Sequence, residues 1–109
     1  MKIAYAEVLD LRFPTSLGRH GSDAMNPDPD YSAAYVILRT DSGQKLAGHG
    51  LTFTIGRGND VVCAAIHALL PRVLGHDLEA ILSDMAAFWR HVNGDSQLRC
   101  EGYSQTTIR

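Results

Sequence analysis

The residues best suited to bind a small polar molecule lie in a long polar segment near the N-terminus. Between positions 19 and 31 the chain carries three aspartates, a serine and two prolines, and almost nothing that a core would bury. Ser22 and Asp23 can accept hydrogen bonds from hydroxyl groups, and Arg19 or His20 can pair with a carboxylate. A connection of this length without regular structure is uncommon in a compact domain. It indicates either a substrate-binding loop or a solvated surface loop.

A second candidate is the run Gly56-Arg57-Gly58, which connects the end of an expected strand to the start of an expected helix. Backbone N–H groups at such a position can receive an anion. The third glycine of the dinucleotide fingerprint and its βαβ frame are missing, so a dinucleotide site is not indicated. The run is either an anion-receiving loop or a plain glycine-rich turn.

Other catalytic chemistries lack the residue spacing that they need. Cys63 and Cys100 fit no metal or redox motif, and Cys63, among apolar helix neighbours, is expected to be an inert buried thiol. Asp28 and Asp30 resemble the start of a calcium loop but lack its glycine and its distal glutamate. No pair of histidines has metal-ligand spacing (His20, His49, His67, His76, His91).

Three strands are expected to support the two candidate loops. Residues 2–13 and 32–40 are rich in β-formers, and Glu7 interrupts the first of them at either a bulge or an exposed edge. Residues 45–54 return after a turn at 41–44, in which Gly43 can take a positive φ. Gly48 and Gly50 in this third strand indicate a close backbone approach or a bulge.

Two helices follow the strands. Asn59 or Asp60 can cap the first, whose apolar stripe runs to Leu70 before Pro71 ends it. Asp77 caps the second, in which apolar residues recur at helical spacing until Gly94 stops the helix (Leu78, Ile81, Leu82, Met85, Phe88, Trp89, Val92). Phe88 and Trp89 are expected in the core, and Asp84 and Arg90 in solvent. The expected fold class is α+β: a three-stranded antiparallel meander packed on a helical pair.

Composition agrees with one small globular domain. The 109 residues are 45% apolar and 20% charged, with a formal charge of −2. Scattered Lys and Arg give no footprint for nucleic acid, and no apolar run is long enough to cross a membrane. The first residues lack the apolar region of a signal peptide, so a cytoplasmic location is expected.

Four stretches of the chain resemble the N-terminal region of L-fuconate dehydratases, in the mandelate racemase-like branch of the enolase superfamily. They lie at residues 10–16, 21–36, 48–59 and 95–99. The resemblance implies a capping domain over residues 1–99, with residues 100–109 as a divergent polar tail. It also implies that Gly21, Ser22, Asp23 and Tyr31 contact a sugar acid, and that Arg57 lines a second substrate loop.

The same resemblance implies the chemistry of a parent enzyme. Members of the family dehydrate L-fuconate to 2-keto-3-deoxy-L-fuconate by removing the proton α to the carboxylate, with Mg²⁺ stabilising the enediolate. The magnesium ligands and the catalytic residues belong to a barrel that this chain does not reach. The chain is therefore expected to carry no catalytic residue and no cofactor, and to be inactive alone.

Loss of the resemblance after Arg99 indicates a truncated dehydratase-like protein. Its partners would be a sugar-acid substrate and either a separate barrel chain or further copies of itself. The alternative is a non-enzymatic binding or self-association module that keeps the cap fold. A self-sufficient enzyme would need a metal site and a base that the sequence does not supply.

Overall fold

The sheet of this domain is an antiparallel meander with strand order β1-β2-β3. A computed structural model describes residues 1–14, 17, 31–42 and 45–96. The strands are β1 (Ile3–Arg12), β2 (Ser32–Thr40) and β3 (Ala47–Thr54). The second strand has the predicted bounds, and the other two are slightly shorter than predicted. The turn glycine Gly43 lies outside the described residues.

Helices follow the sheet, which confirms the α+β fold class and the order of its elements. They are α1 (Asn59–Leu69), a 3₁₀ turn (Leu70–Arg72), α2 (Leu78–Ser83) and α3 (Met85–Val92). Pro71 stands at the start of the 3₁₀ turn, where its missing N–H costs no helical hydrogen bond, and α1 ends just before it. None of the helices in the described ranges is long and apolar enough to cross a membrane.

The strand register is regular where bulges were expected. Glu7 pairs directly with Ile37, and the irregularity in β1 lies between Ile3 and Tyr5 instead. Glu7 marks an exposed edge, since β1 is an outer strand and the Glu7 carboxylate pairs with Arg39 at 3.1 Å. The expected bulge or close approach at Gly48 is also wrong, because a Cβ there would have nothing within 4 Å.

The core forms where α1 lies across β1 and β2. Ala34, Val62 and Ile66 are its buried centre, with Val8 and Val36 packed against them. Side chains on a strand alternate between faces, so the neighbours of Ala34 in β2 point away from α1. On that outer face of the sheet, Leu51 and Phe53 remain 66% and 59% exposed.

The cap of α1 differs from the prediction that Asn59 or Asp60 provides it. The N-cap is Gly58, in the left-handed conformation, and no side chain caps the helix. Asn59 is instead the first helical residue and is fully buried. The Asn59 side chain hydrogen-bonds to Thr54 and Asp10 and does not cap the helix.

The predicted second helix is broken at Asp84. The Asp84 backbone leaves the helical region at φ −146° and ψ 73°, which ends α2 and starts α3. Its side chain accepts a hydrogen bond from the N–H of Ala87 at 3.0 Å, so Asp84 is an N-cap rather than an idle surface residue. The apolar spacing continues across the break, which explains why the sequence indicates one helix.

The expectation that Trp89 lies in the core is wrong, because this side chain is 48% exposed. Phe88 is half-buried. Both line an apolar groove of about 200 Å³ between β2, α1 and α3, with Val36 and Leu38 on its floor.

Replacing Asp84 with alanine should destabilise the domain by about 1 kcal/mol, because it removes the N-cap of α3. Urea unfolding followed by circular dichroism measures this change. Arg90→Ala, an exposed change in the same helix, is the control and should stay within about 0.5 kcal/mol of the parent. Equal effects of the two changes would contradict the capping role.

Candidate functional site

One end of the sheet contains a terminus of each of the three strands. Arg12 at the end of β1 pairs with Ser32 at the start of β2, which pairs with Thr54 at the end of β3. The polar segment leaves the sheet after Arg12 and returns at Tyr31, so both its ends lie at this edge. The glycine-rich loop begins there as well. The topology therefore brings the two predicted loops to one side of the domain.

Two of the five predicted site residues lie in the described part of the chain. The half-buried Tyr31 packs edge-on against Phe53, with ring centroids 5.4 Å apart. Its carbonyl accepts a hydrogen bond from the N–H of Phe13 at 2.8 Å. Gly21, Ser22 and Asp23 lie outside the described residues, as do Arg19, His20, Asp28 and Asp30.

Arg57, the other described site residue, is exposed between two glycines in the left-handed region. Gly56 has φ 90° and Gly58 has φ 82°. A residue with a Cβ is strained at such angles, which explains why glycines flank the arginine. Among the ion pairs of the described residues none involves Arg57.

Side chains from two strands hold the loop that carries Arg57. Arg12 donates from Nε and Nη2 to the two carboxylate oxygens of Asp10, at 2.8 and 2.9 Å. Its remaining nitrogen, Nη1, donates to the carbonyl of Gly56 at 3.0 Å. On the other side of the same residue, the Gly56 N–H donates to Ser32 Oγ at 2.9 Å.

Two further residues close these bonds into a ring. Thr54 Oγ1 lies 2.5 Å from Ser32 Oγ and donates to Asn59 Oδ1 at 3.0 Å. Asn59 Nδ2 then donates to Asp10 Oδ1 at 2.5 Å. We call this ring the hydrogen-bond circuit; its members come from all three strands, the loop and α1 (Asp10, Arg12, Ser32, Thr54, Gly56, Asn59).

The direction of each bond in the circuit follows from the number of protons available. Thr54 has one hydroxyl proton and gives it to Asn59, so the proton between the two hydroxyls comes from Ser32, whose Oγ also lies 3.3 Å from the Thr54 carbonyl oxygen. Ser32 is therefore free to accept from Gly56. Donation runs in one sense from Gly56 to the carboxylate of Asp10, an order in which each bond polarises the next.

The hydrogen-bond circuit uses one of the backbone N–H groups that the glycine-rich run could offer to an anion. The Gly56 N–H already donates to Ser32, so it is not available to an anion. The bond concerns this one N–H of the run, and Arg57, which follows it, is exposed.

The charged groups of the circuit are the Asp10 carboxylate and the Arg12 guanidinium, which form an ion pair. Hydrogen bonds from Arg12, and then from Asn59, lower the pKa of the Asp10 carboxyl below its ordinary value. Burial raises the pKa of the Cys63 thiol, whose sulfur lies 3.9 Å from the Leu9 carbonyl. A thiol of this kind stays protonated, which agrees with the expected inert cysteine.

No group of three or more His, Cys, Asp or Glu side chains gathers in residues 1–14, 31–42 or 45–96. The carboxylate of Asp10 is taken up by Arg12 and Asn59.

Sequence reasoning missed most of the circuit. Asp10 and Arg12 stand two residues apart, which places them on one face of a strand, and that signal was available. Ser32, Thr54 and Asn59 carry no comparable signal, because their contacts depend on the register between strands.

Comparison with known proteins finds relatives that are much longer than this chain. The chain matches no protein-family model. It is 54% identical over 101 residues to mitochondrial enolase superfamily member 1 from Bos taurus, covering 93% of this chain and 23% of that protein. It is 57% identical over 99 residues to L-galactonate dehydratase from Hypocrea jecorina, covering 91% of this chain and 22% of that protein.

A solved structure shows the same fold. The crystal structure of human mitochondrial enolase superfamily member 1 matches with a TM-score of 0.88 and 48% identity, over 98% of this chain and 24% of that one. The chain is thus homologous to a segment of enolase-superfamily and sugar-acid dehydratase proteins. It spans about a quarter of their length.

Replacing Asn59 with alanine should destabilise the domain by about 1–3 kcal/mol, because it removes the two hydrogen bonds that a fully buried side chain makes, to Thr54 and to Asp10. Chemical unfolding in urea gives the difference. Asp60→Asn, the neighbouring exposed position, should change stability far less. An Asn59→Ala variant as stable as the parent would contradict the circuit.

The circuit should also make stability depend on acid pH. The folded pKa of Asp10 lies below its unfolded value near 3.8, so its stabilisation is present above the unfolded pKa and is lost as pH falls through the folded pKa. Between about pH 6 and about pH 3, the parent should lose more stability than Asp10→Asn. Asp77, whose pKa is also lowered, is common to both proteins. An equal loss of stability in the parent and in Asp10→Asn would contradict this role of Asp10.

Proposed function

We propose that this chain is the substrate-loop domain of a sugar-acid dehydratase of the enolase superfamily and has no dehydratase activity by itself. The observation that carries the proposal is that both ends of the polar segment and the start of the Arg57 loop lie at one end of the sheet. The 57% identity to an L-galactonate dehydratase supports it. A polyhydroxy acid needs directional hydrogen-bond partners, and loops of this kind provide them.

The proposed substrate is a sugar acid of the L-galactonate type, which includes L-fuconate. L-Fuconate is L-galactonate without its 6-hydroxyl group, so the two acids offer the same hydroxyls at carbons 2 to 5. Arg57 would donate hydrogen bonds to an oxygen of the acid, and the Tyr31 hydroxyl would contact it from the first loop. Gly21, Ser22 and Asp23, outside the described residues, are proposed to complete the contacts.

The remaining parts of the reaction are proposed to lie outside this chain. When bound, Mg²⁺ stabilises the enediolate formed by α-proton removal, and its ligands would belong to a barrel on the rest of a full-length protein or on a separate chain. The contribution of this chain is to bind and orient the acid and to exclude water from it. A cytoplasmic location is also proposed, as is usual for a chain with two cysteines among 109 residues.

A chimera tests the proposal directly. Residues 1–99 of this chain replace the matching segment of the Hypocrea jecorina L-galactonate dehydratase, and keto-acid production is measured with L-galactonate and L-fuconate. The chimera should form a 2-keto-3-deoxy acid in the presence of Mg²⁺, whereas the chain alone should form none. A folded chimera that is inactive on both acids would contradict the proposal.

Arg57→Ala in this chimera should lower kcat/KM by about 10- to 100-fold, mainly through KM, because it removes a charge-assisted hydrogen bond to bound substrate. Arg90→Ala, an exposed arginine on α3, is the matched control and should leave both constants unchanged. An unaltered KM for Arg57→Ala would remove Arg57 from the substrate site.

A further inference from the structure

The backbone of Gly56 is held from both sides by residues that border the first loop. Arg12, the last residue of β1, donates to the Gly56 carbonyl. Ser32, the first residue of β2, accepts from the Gly56 N–H. Because Gly56 immediately precedes Arg57, these two bonds set where the Arg57 side chain leaves the backbone.

Arg12 and Ser32, which bond to Gly56, are each oriented by further hydrogen bonds. Arg12 has a long flexible side chain, and its two bonds to Asp10 leave Nη1 directed at Gly56. Ser32 is oriented through Thr54 and Asn59, and that chain of donors also ends on Asp10. Both routes from Gly56 therefore converge on a single carboxylate, although no hydrogen bond joins Asp10 to Gly56.

We infer that Asp10 is a positioning residue for substrate recognition: it orders the circuit and thereby holds Arg57 in the conformation that receives the sugar acid. The inference rests on the proposed function for the role of Arg57. The ordering of the loop by Asp10 is a property of this chain alone and can be measured without substrate.

The chemistry of the circuit requires a carboxylate at position 10. Asp10 accepts three donors, two from Arg12 and one from Asn59. An asparagine there would keep one acceptor oxygen and turn an N–H₂ group toward another donor. Asp10→Asn thus keeps the size of the side chain, but its N–H₂ group faces either Arg12 Nη2 or, in the other orientation, both Arg12 Nε and Asn59 Nδ2.

The test is amide hydrogen exchange in the purified 109-residue chain, followed by NMR. In Asp10→Asn, the Gly56 N–H should exchange about tenfold faster relative to the Val62 amide in the core, because its bond to Ser32 loses its support. Glu7→Gln is the matched control. It removes a half-buried ion pair, with Arg39, from the same strand, and no hydrogen bond among the described residues joins that pair to Gly56.

Each outcome decides between a positioning and a merely local role. A tenfold change at Gly56 in Asp10→Asn, absent in Glu7→Gln, supports the inference. Unchanged exchange at Gly56, or the same change in both variants, would overturn it. If Asp10→Asn fails to fold, Arg12→Lys takes its place, since a single ammonium group cannot hold both Asp10 oxygens and the Gly56 carbonyl.

Substrate dependence is read separately in the chimera described above. There Asp10→Asn should raise KM for L-galactonate about as much as Arg57→Ala, and the double variant should add little to either change. Additive effects of the two changes would overturn the link from Asp10 to Arg57. An inactive parent chimera would contradict the proposed function but leave the exchange result intact.

Discussion

The candidate site depends on the three hydrogen bonds that the Asp10 carboxylate accepts from Arg12 and Asn59. This carboxylate is the terminal acceptor of a ring of hydrogen bonds that joins three strands, a loop and a helix. Ser32 and Asn59, which are 1% and 0% exposed, could not be buried without the partners that the ring provides. The ring therefore satisfies buried polar groups and shapes an exposed loop with the same bonds.

The rest of the fold brings these residues together. Antiparallel register aligns Arg12, Ser32 and Thr54 in one row at the sheet edge. Packing of Val62 and Ile66 onto Ala34 places the start of α1 over that row, which carries Asn59 to its partners. Packing of the core thus places Asn59 within hydrogen-bond distance of Thr54 and Asp10.

Local signals in the sequence predicted most of the fold. The β-forming run at 32–40, the helix stop at Pro71 and the N-cap at Asp77 each depend on residues close together in the chain. The break at Asp84 was missed because apolar spacing continues through it. Trp89 was assigned to the core because periodicity shows which face of a helix is apolar, but not whether another element covers that face.

The candidate site was predictable only in part. The glycines around Arg57 indicated a special backbone, and both carry positive φ. Four of the contacts that support this backbone join residues 22 to 49 positions apart, such as Ser32 with Thr54 and Asp10 with Asn59. Such contacts follow from strand register and helix placement, which single-sequence patterns do not specify.

The most direct test of the account is the crystal structure of the chimera with bound L-galactonate, and the quantity to measure is the distance from the Arg57 guanidinium to the sugar acid. If Arg57 receives the sugar acid, a guanidinium nitrogen lies about 2.7–3.2 Å from an oxygen of the acid, and the Asp10, Arg12 and Gly56 contacts are intact. An Arg57 side chain directed into solvent, with the acid bound elsewhere, would contradict it.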